Sequence, residues 1–249
     1  MTSAQPVAIV TGGASGLGDA VCHRLADDGH LVVVADIDGD GARKVAGEIG
    51  GHAVAVDVRI TAEVEAMAAE AAELGPIKVL VLSAAVETRA SIVATTNEDW
   101  RAVLDTNLKA PFLCMRAVVP RMAEAGGGSI VALGSTLGTI AAPGYPAYCA
   151  SKFALTNLCK QVAIEHARDA IRVNVVAPSA CDTGLFVRMA ESTGDPEAIH
   201  KMVTSNVPMG RLGTAREVCD AVSFFASDAS SYTSGTVLPL DGGLAARRM

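Results

Sequence analysis

Tyr148 and Lys152 stand four residues apart, and Ser135 lies thirteen positions before the tyrosine. On a helix that spacing raises both side chains from one face, a turn apart. A phenol with a pKa of about 10 is a poor base at neutral pH. A nearby ammonium favours the phenolate and lowers that pKa. A tyrosine so paired can take a proton from an alcohol or return one to a ketone oxygen. Ser135 is a candidate donor to the same substrate oxygen. The tyrosine–lysine spacing also occurs on solvated helices, and a serine after a strand also makes turns. What surrounds these three residues therefore decides their reading.

The second constellation is Thr11-Gly12-Gly13-Ala14-Ser15-Gly16-Leu17-Gly18. It follows an apolar run and opens a helical pattern. Gly12, Gly16 and Gly18 leave room for a pyrophosphate to approach backbone N–H groups at the positive end of a helix. A P-loop is excluded, because Asp19 stands where its lysine would follow the last glycine. Asp36 lies eighteen residues past Gly18, near the spacing of an acid that binds an adenosine ribose. A carboxylate there accepts from ribose hydroxyls and repels a 2′-phosphate. Ser15 is not basic, so the expected cofactor is NAD, although Arg43 and Lys44 are close in sequence. Asp36 as a simple turn or helix cap is the alternative.

These residues need a scaffold. Apolar, β-branched runs at 7–11, 31–35, 53–57, 79–82, 130–133, 171–176 and 237–240 predict strands buried on both faces. Helical spacing falls between them at 17–26, 41–49, 61–74, 99–122, 148–166 and 214–226. The alternation predicts an α/β fold built on a doubly wound parallel sheet. The patternless stretch 178–207 predicts a functional loop, with a substrate lid around 184–207. The chain reads as one domain spanning 1–249, the lid included.

With 249 residues, half of them hydrophobic, a mean hydropathy of +0.35 and a net charge of −7, the chain can bury a large core. It has no basic block, which argues against nucleic acid. No apolar run is long enough to span a membrane. No signal peptide is visible, and the six scattered cysteines fit reduced thiols in a cytoplasmic protein. No metal-ligand spacing is present, so no metal is expected. Ser135 is not in a G-x-S-x-G elbow, since Leu133 and Leu137 occupy the glycine positions. This disfavours a serine hydrolase.

Taken together, T-G-x-x-x-G-x-G at 11–18, Ser135 and Y-x-x-x-K at 148–152 resemble the classical short-chain dehydrogenase/reductase family along nearly the whole chain. The resemblance implies a Rossmann-type sheet of seven parallel strands in a three-layer αβα sandwich, with a nicotinamide cofactor across the strand ends. It implies catalytic roles for Asn107, Ser135, Tyr148 and Lys152, with Asn107 holding a water on the proton path. Cofactor contacts are implied for Gly12, Ser15, Gly16, Leu17, Gly18, Asp36, Asp57, Val58, Ala84, Tyr148, Lys152, Pro178 and Thr183. Asp57, at the end of the third strand, is expected at the adenine, and Thr183 at the carboxamide.

Two departures stand out. Leu82-Ser83-Ala84-Ala85 replaces the family's N-N-A-G, and Ser179 replaces a glycine after Pro178. The expected reaction is hydride transfer between NAD(H) and a secondary alcohol or ketone, with Tyr148 as general acid/base. Val86, Glu87, Leu137, Tyr145, Ser179 and Leu185 are the expected substrate contacts. The expected partners are that small molecule and, as commonly in the family, further copies of the chain in a dimer or tetramer. The alternatives are an NADPH-dependent 3-oxoacyl-thioester reductase and a non-catalytic cofactor sensor on the same fold.

Overall fold

The computed structural model describes residues 5–182, 186, 190–191 and 194–246. Seven strands form one parallel sheet: β1 (Val7–Thr11), β2 (Leu31–Asp36), β3 (His52–Ala55), β4 (Ile77–Leu82), β5 (Gly128–Leu133), β6 (Ile171–Pro178) and β9 (Val237–Leu240). Their order is β3-β2-β1-β4-β5-β6-β9. The chain winds outward from β1 in one direction and from β4 in the other. Loops at the carboxyl ends of β1 and β4 therefore diverge and leave a crevice between them.

The strands are apolar throughout because both faces are covered. Val7 and Ile9 point into one core, while Ala8 and Val10 point into the other. The first core packs α3 (Thr61–Leu74), α5 (Ala110–Glu124) and α6 (Pro146–Glu165) on the sheet through Met67, Val118 and Leu155. The second packs α1 (Gly16–Asp27), α2 (Gly39–Ile49) and α8 (Ala215–Ala226) through Leu25, Val45 and Phe225. Burying each large apolar side chain of this kind contributes about 1.5–3 kcal/mol. Thr214 caps α8: its hydroxyl accepts from the Glu217 N–H at 3.2 Å, and the Glu217 carboxylate accepts from the Thr214 N–H at 2.8 Å. The six cysteines are free thiols, five of them buried. Among the described residues, no helix is long and apolar enough to cross a membrane.

Three expectations change. The helix expected over 99–122 is α4 (Asn97–Leu104), a π-helical turn (Asp105–Lys109) and α5 in succession. The wider turn carries Asn107 inward, where it is 1% exposed. Next, β3 ends at Ala55, so Asp57 lies beyond the strand. An edge strand has one partner, and the Asp57 N–H donates instead to Glu63 Oε2 at 2.7 Å. Finally, the stretch 178–207 is not patternless. It contains β7 (Cys181–Asp182), which pairs with β8 (Gly213–Thr214), and α7 (Pro196–Asn206). Asp195 caps α7 by accepting from the Ala198 N–H at 3.0 Å, with Pro196 at the first helical position. That Asp-Pro start was legible in the sequence.

Candidate active site

A cavity of about 1090 Å³ opens along the carboxyl ends of β1, β4, β5 and β6. It is large enough for a dinucleotide together with a small substrate.

One end is built from the glycine stretch. Gly12 has φ 69° and passes so close to the β4 loop that a Cβ would sit 2.7 Å from Ala84 Cα. A Cβ on Gly18 would sit 2.0 Å from the Gly12 carbonyl oxygen. The loop is therefore folded tightly on itself, with the amino end of α1 beside it. Ser15, Gly16 and Leu17 line the cavity with Gly12 and Gly18. Thr11 holds the second wall: its hydroxyl donates to the Val81 carbonyl at 3.3 Å and accepts from the N–H groups of Ser83 (3.2 Å) and Ala84 (3.4 Å). This tie was not foreseen from the sequence. It keeps the Ser83-Ala84-Ala85 departure in register with the glycine loop.

Asp36 lines the same end. Its two carboxylate oxygens accept from the N–H groups of Ala14 and Asp38, each at 3.0 Å. Each oxygen keeps a lone pair for a further donor. Arg43 pairs with Asp40, and Lys44 lies 4.0 Å from Glu48 on the same helix. Neither lines the cavity. Asp57 and Val58 do line it. The Asp57 carboxylate is bound by the Arg59 guanidinium at 2.7–3.2 Å, which holds its pKa below the usual carboxylate range against the opposing effect of burial. These residues fit a dinucleotide: a backbone cradle without Cβ atoms, an amino-terminal helix end, and a carboxylate held for hydroxyl groups.

At the other end, Ser135 follows β5 in extended backbone, and its Oγ accepts from the Leu137 N–H at 3.1 Å. Its hydroxyl also favours the phenolate of Tyr148, with which it lines the cavity. Tyr148 and Lys152 both rise from α6 into the cavity wall. The Lys152 ammonium donates to the Leu133 carbonyl at 2.8 Å and lies 5.6 Å from the centre of the Tyr148 ring.

The ionisation differs from expectation. Tyr148 was expected well below its usual pKa under the influence of Lys152. Burial instead raises it to about 12, with the Glu87 carboxylate adding to the rise and the Ser135 hydroxyl opposing it. Lys152, 3% exposed, is lowered to about 8 by burial. Removing both groups from water disfavours both charged forms, and this outweighs any attraction between them.

Asn107 does not line the cavity. Its Oδ1 accepts from the Val86 N–H, and its Nδ2 donates to the Val86 carbonyl, each at 2.8 Å. Nδ2 also donates to Ser151 Oγ at 3.2 Å, and the Ser151 hydroxyl donates to the Tyr148 carbonyl at 2.8 Å. The side chain thus joins the β4 loop, the π turn and the tyrosine helix. A role in proton transfer would have to pass through the groups it positions.

Ala84, Val86, Glu87, Leu137, Tyr145, Pro178 and Ser179 also line the cavity. Sequence reasoning did not select Ile140, Pro143 or Leu244, nor Ile199 and Val203 of α7, which complete its apolar wall. The apolar spacing of α7 was the available signal. Thr183 and Leu185 lie outside the described residues.

The chain matches several known proteins. A family model described as enoyl-(acyl carrier protein) reductase matches residues 12–245. D-threitol dehydrogenase of Mycolicibacterium smegmatis is 38% identical over 95% of this chain and 92% of its own. Cis-4-hydroxycyclohexanecarboxylate dehydrogenase of Sinomonas cyclohexanicum is 37% identical over 98% of each chain. A variant of actinorhodin polyketide ketoreductase, solved with NADPH, superposes with a TM-score of 0.93 at 30% identity, covering 98% of both chains.

Proposed function

The chain belongs to the short-chain dehydrogenase/reductase family, and from that membership we propose an NAD-dependent dehydrogenase of secondary alcohols in which Tyr148 is the general acid/base. The family assignment makes it an oxidoreductase acting on CH–OH groups with a nicotinamide cofactor. The proposal adds the choice of NAD, the roles of the residues and the kind of alcohol.

The observation that carries the reading is that Ser135, Tyr148 and Lys152 line one cavity together with the glycine loop. In oxidation, the Tyr148 phenolate accepts the substrate hydroxyl proton, while Ser135 donates to the same oxygen and fixes the carbinol carbon toward the cofactor. Burial disfavours the phenolate, and the charge of an oxidised cofactor would favour it. The cofactor, when bound, supplies the hydride acceptor and, oxidised, a positive ring charge. Gly12, Gly16 and Gly18 would cradle its pyrophosphate, Asp36 its adenosine ribose, and the wall formed by Ala84 and Pro178 its nicotinamide half. Lys152 holds a proton near the phenol; its lowered pKa of about 8 lets it exchange that proton near neutral pH. Asn107 acts as a positioning residue through Val86 and Ser151.

The NAD preference rests on Asp36, held by two backbone N–H groups, and on Arg43 and Lys44 being engaged by acids of their own helix. A 2′-phosphate beside that carboxylate would meet like charge. The expected result is a kcat/KM at least about tenfold higher with NAD than with NADP, and a shift toward NADP of about tenfold or more in Asp36→Ala. A wild-type preference for NADP would remove this reading and leave the 3-oxoacyl-thioester reductase in its place.

A pH prediction arises at the same site. Tyr148 faces Glu87, Cys149, Tyr145 and Ser135, with Arg89 acting on Tyr145 and Glu87. Glu87 disfavours the phenolate, so removing its charge lowers the Tyr148 pKa. In Glu87→Gln, the rising limb of oxidation against pH is expected to move down by roughly half to one pH unit. A kcat/KM profile that stays in place or moves upward would contradict this.

Two further parts belong to the proposal. α7 covers the substrate end as a lid, an assignment supported by Ile199 and Val203 on the cavity wall. A homo-oligomer is supported by the exposed Phe112 of α5 and Phe153 of α6, with Arg116 stacked 5.1 Å over the Phe112 ring. These are apolar faces of the kind a second copy would cover. The D-threitol relative brings polyols, and the hydroxycyclohexanecarboxylate relative cyclic alcohols, into the substrate range.

A further inference from the structure

Glu87 stands on the substrate wall and neither gives nor takes a proton in the step proposed above. It lines the cavity together with Tyr145 and Tyr148. No hydrogen bond or ion pair joins it to another described residue, and Arg89 acts on it only through space. Its backbone is held on both sides. Val86, immediately before it, exchanges two hydrogen bonds of 2.8 Å with the buried Asn107 side chain. Beyond it, the Ala90 N–H donates to the Gly144 carbonyl at 3.0 Å, and Arg89 lies 5.8 Å from the centre of the Tyr145 ring. Segment 86–90 is thus pinned to the π turn at one end and to the loop before α6 at the other.

The cavity that Glu87 lines also has apolar wall residues in Leu137, Ile140, Pro143, Met202 and Val203. Crowding by protein already raises the Glu87 carboxyl pKa, with Arg89 opposing. The same carboxylate makes the Tyr148 phenolate harder to form. Glu87 therefore works against the base when the substrate brings it no partner. An ionised carboxylate only accepts hydrogen bonds, so the partner it calls for is a donor.

We propose that Glu87 is the specificity-determining acceptor for a second hydroxyl of the substrate, and that the enzyme acts on diols and polyols in preference to simple alcohols. The inference rests on the dehydrogenase reading and deepens it. The reacting hydroxyl gives its proton to Tyr148, while the second hydroxyl donates to Glu87 and fixes which carbinol carbon faces the cofactor. A simple alcohol leaves the exposed carboxylate to water and forgoes a charge-assisted hydrogen bond between substrate and protein.

The test compares kcat/KM for cyclohexane-1,2-diol and cyclohexane-1,4-diol with that for cyclohexanol, in the wild type, Glu87→Gln and Glu87→Leu. The ratio of the better diol to cyclohexanol cancels any change in the shared chemistry, including a change in the Tyr148 pKa. The wild-type ratio is expected to exceed about ten and to fall by roughly tenfold or more in Glu87→Leu. Glu87→Gln keeps an amide oxygen and is expected to fall between the two, which preserves the test if the leucine variant does not fold. A ratio equal in all three proteins, with both alcohol types oxidised, would overturn the role of Glu87 alone. A wild-type preference for 2-aminocyclohexanol over the diols would overturn the hydroxyl as the donor. No oxidation of either alcohol type with NAD or NADP would remove the dehydrogenase reading and this inference with it.

Discussion

Tyr148→Phe is expected to lower turnover by about a thousandfold or more, with NADH binding retained. The substitution removes one oxygen and keeps the ring, so the packing of α6 on the cavity wall is preserved. What disappears is the proposed acceptor of the substrate proton, which lines the cavity with Ser135. General acid/base catalysis contributes about 10²–10⁴-fold. On the proposed reading the phenol also fixes the substrate oxygen together with Ser135, which puts the effect in the upper part of that range. The measurement is NADH formation at saturating alcohol, alongside fluorescence titration with NADH. Activity within about tenfold of wild type would assign the proton transfer to another group. Equal inertness of wild type and variant on a broad alcohol panel, with NADH still bound, would favour a cofactor sensor.

Gly18→Ala is expected to weaken NADH binding by roughly 5- to 150-fold, the equivalent of the 1–3 kcal/mol typical of overpacking. The added methyl would lie 2.0 Å from the Gly12 carbonyl oxygen, a rigid backbone group with no rotamer to change. Relief requires the glycine loop to open. Gly12 in turn is packed against Ala84, so the β4 wall would move as well. Both surfaces line the cavity, and the cost should therefore appear in cofactor affinity and in the melting temperature measured with NADH present. Wild-type affinity in Gly18→Ala would mean that the close approach of these loops is not what forms the cofactor site.

Much of the scaffold was legible because it depends on local pattern. β1 and β9 lie where apolar runs predict them, and the strands between differ by a few residues at their ends. Asp36 reached the cavity as spacing predicts, since the length of α1 and its turn fixes the distance from Gly18. The interruption of the helix at Asp105–Lys109 was not legible. It is accompanied by a tertiary contact: Asn107 bonds Val86, twenty-one residues earlier, and periodicity carries no trace of that partner. The Thr11 tie to Ser83 and Ala84 was hidden for the same reason, with about seventy residues between its members. The direction of the Tyr148 pKa was missed because spacing reveals a neighbour but not burial. For α7 the signal was present: Asp195-Pro196 marks a helix start, and Ile199 and Val203 share one face.

Asn107 grips Val86 entirely through the backbone atoms of that residue. A grip on peptide atoms is indifferent to the side chains that the strap carries. Residue 87 can therefore exchange an acid for an amide or an alkyl group while the strap keeps its course beside Tyr148. Because α7 contributes from a different part of the chain, the near and far walls of the cavity can vary separately. In engineering terms the molecule has a fixed chuck and interchangeable bits: on the proposed reading, altering the alcohol it accepts calls for changes at position 87 and along α7, with the strap and the Tyr148 helix left in place.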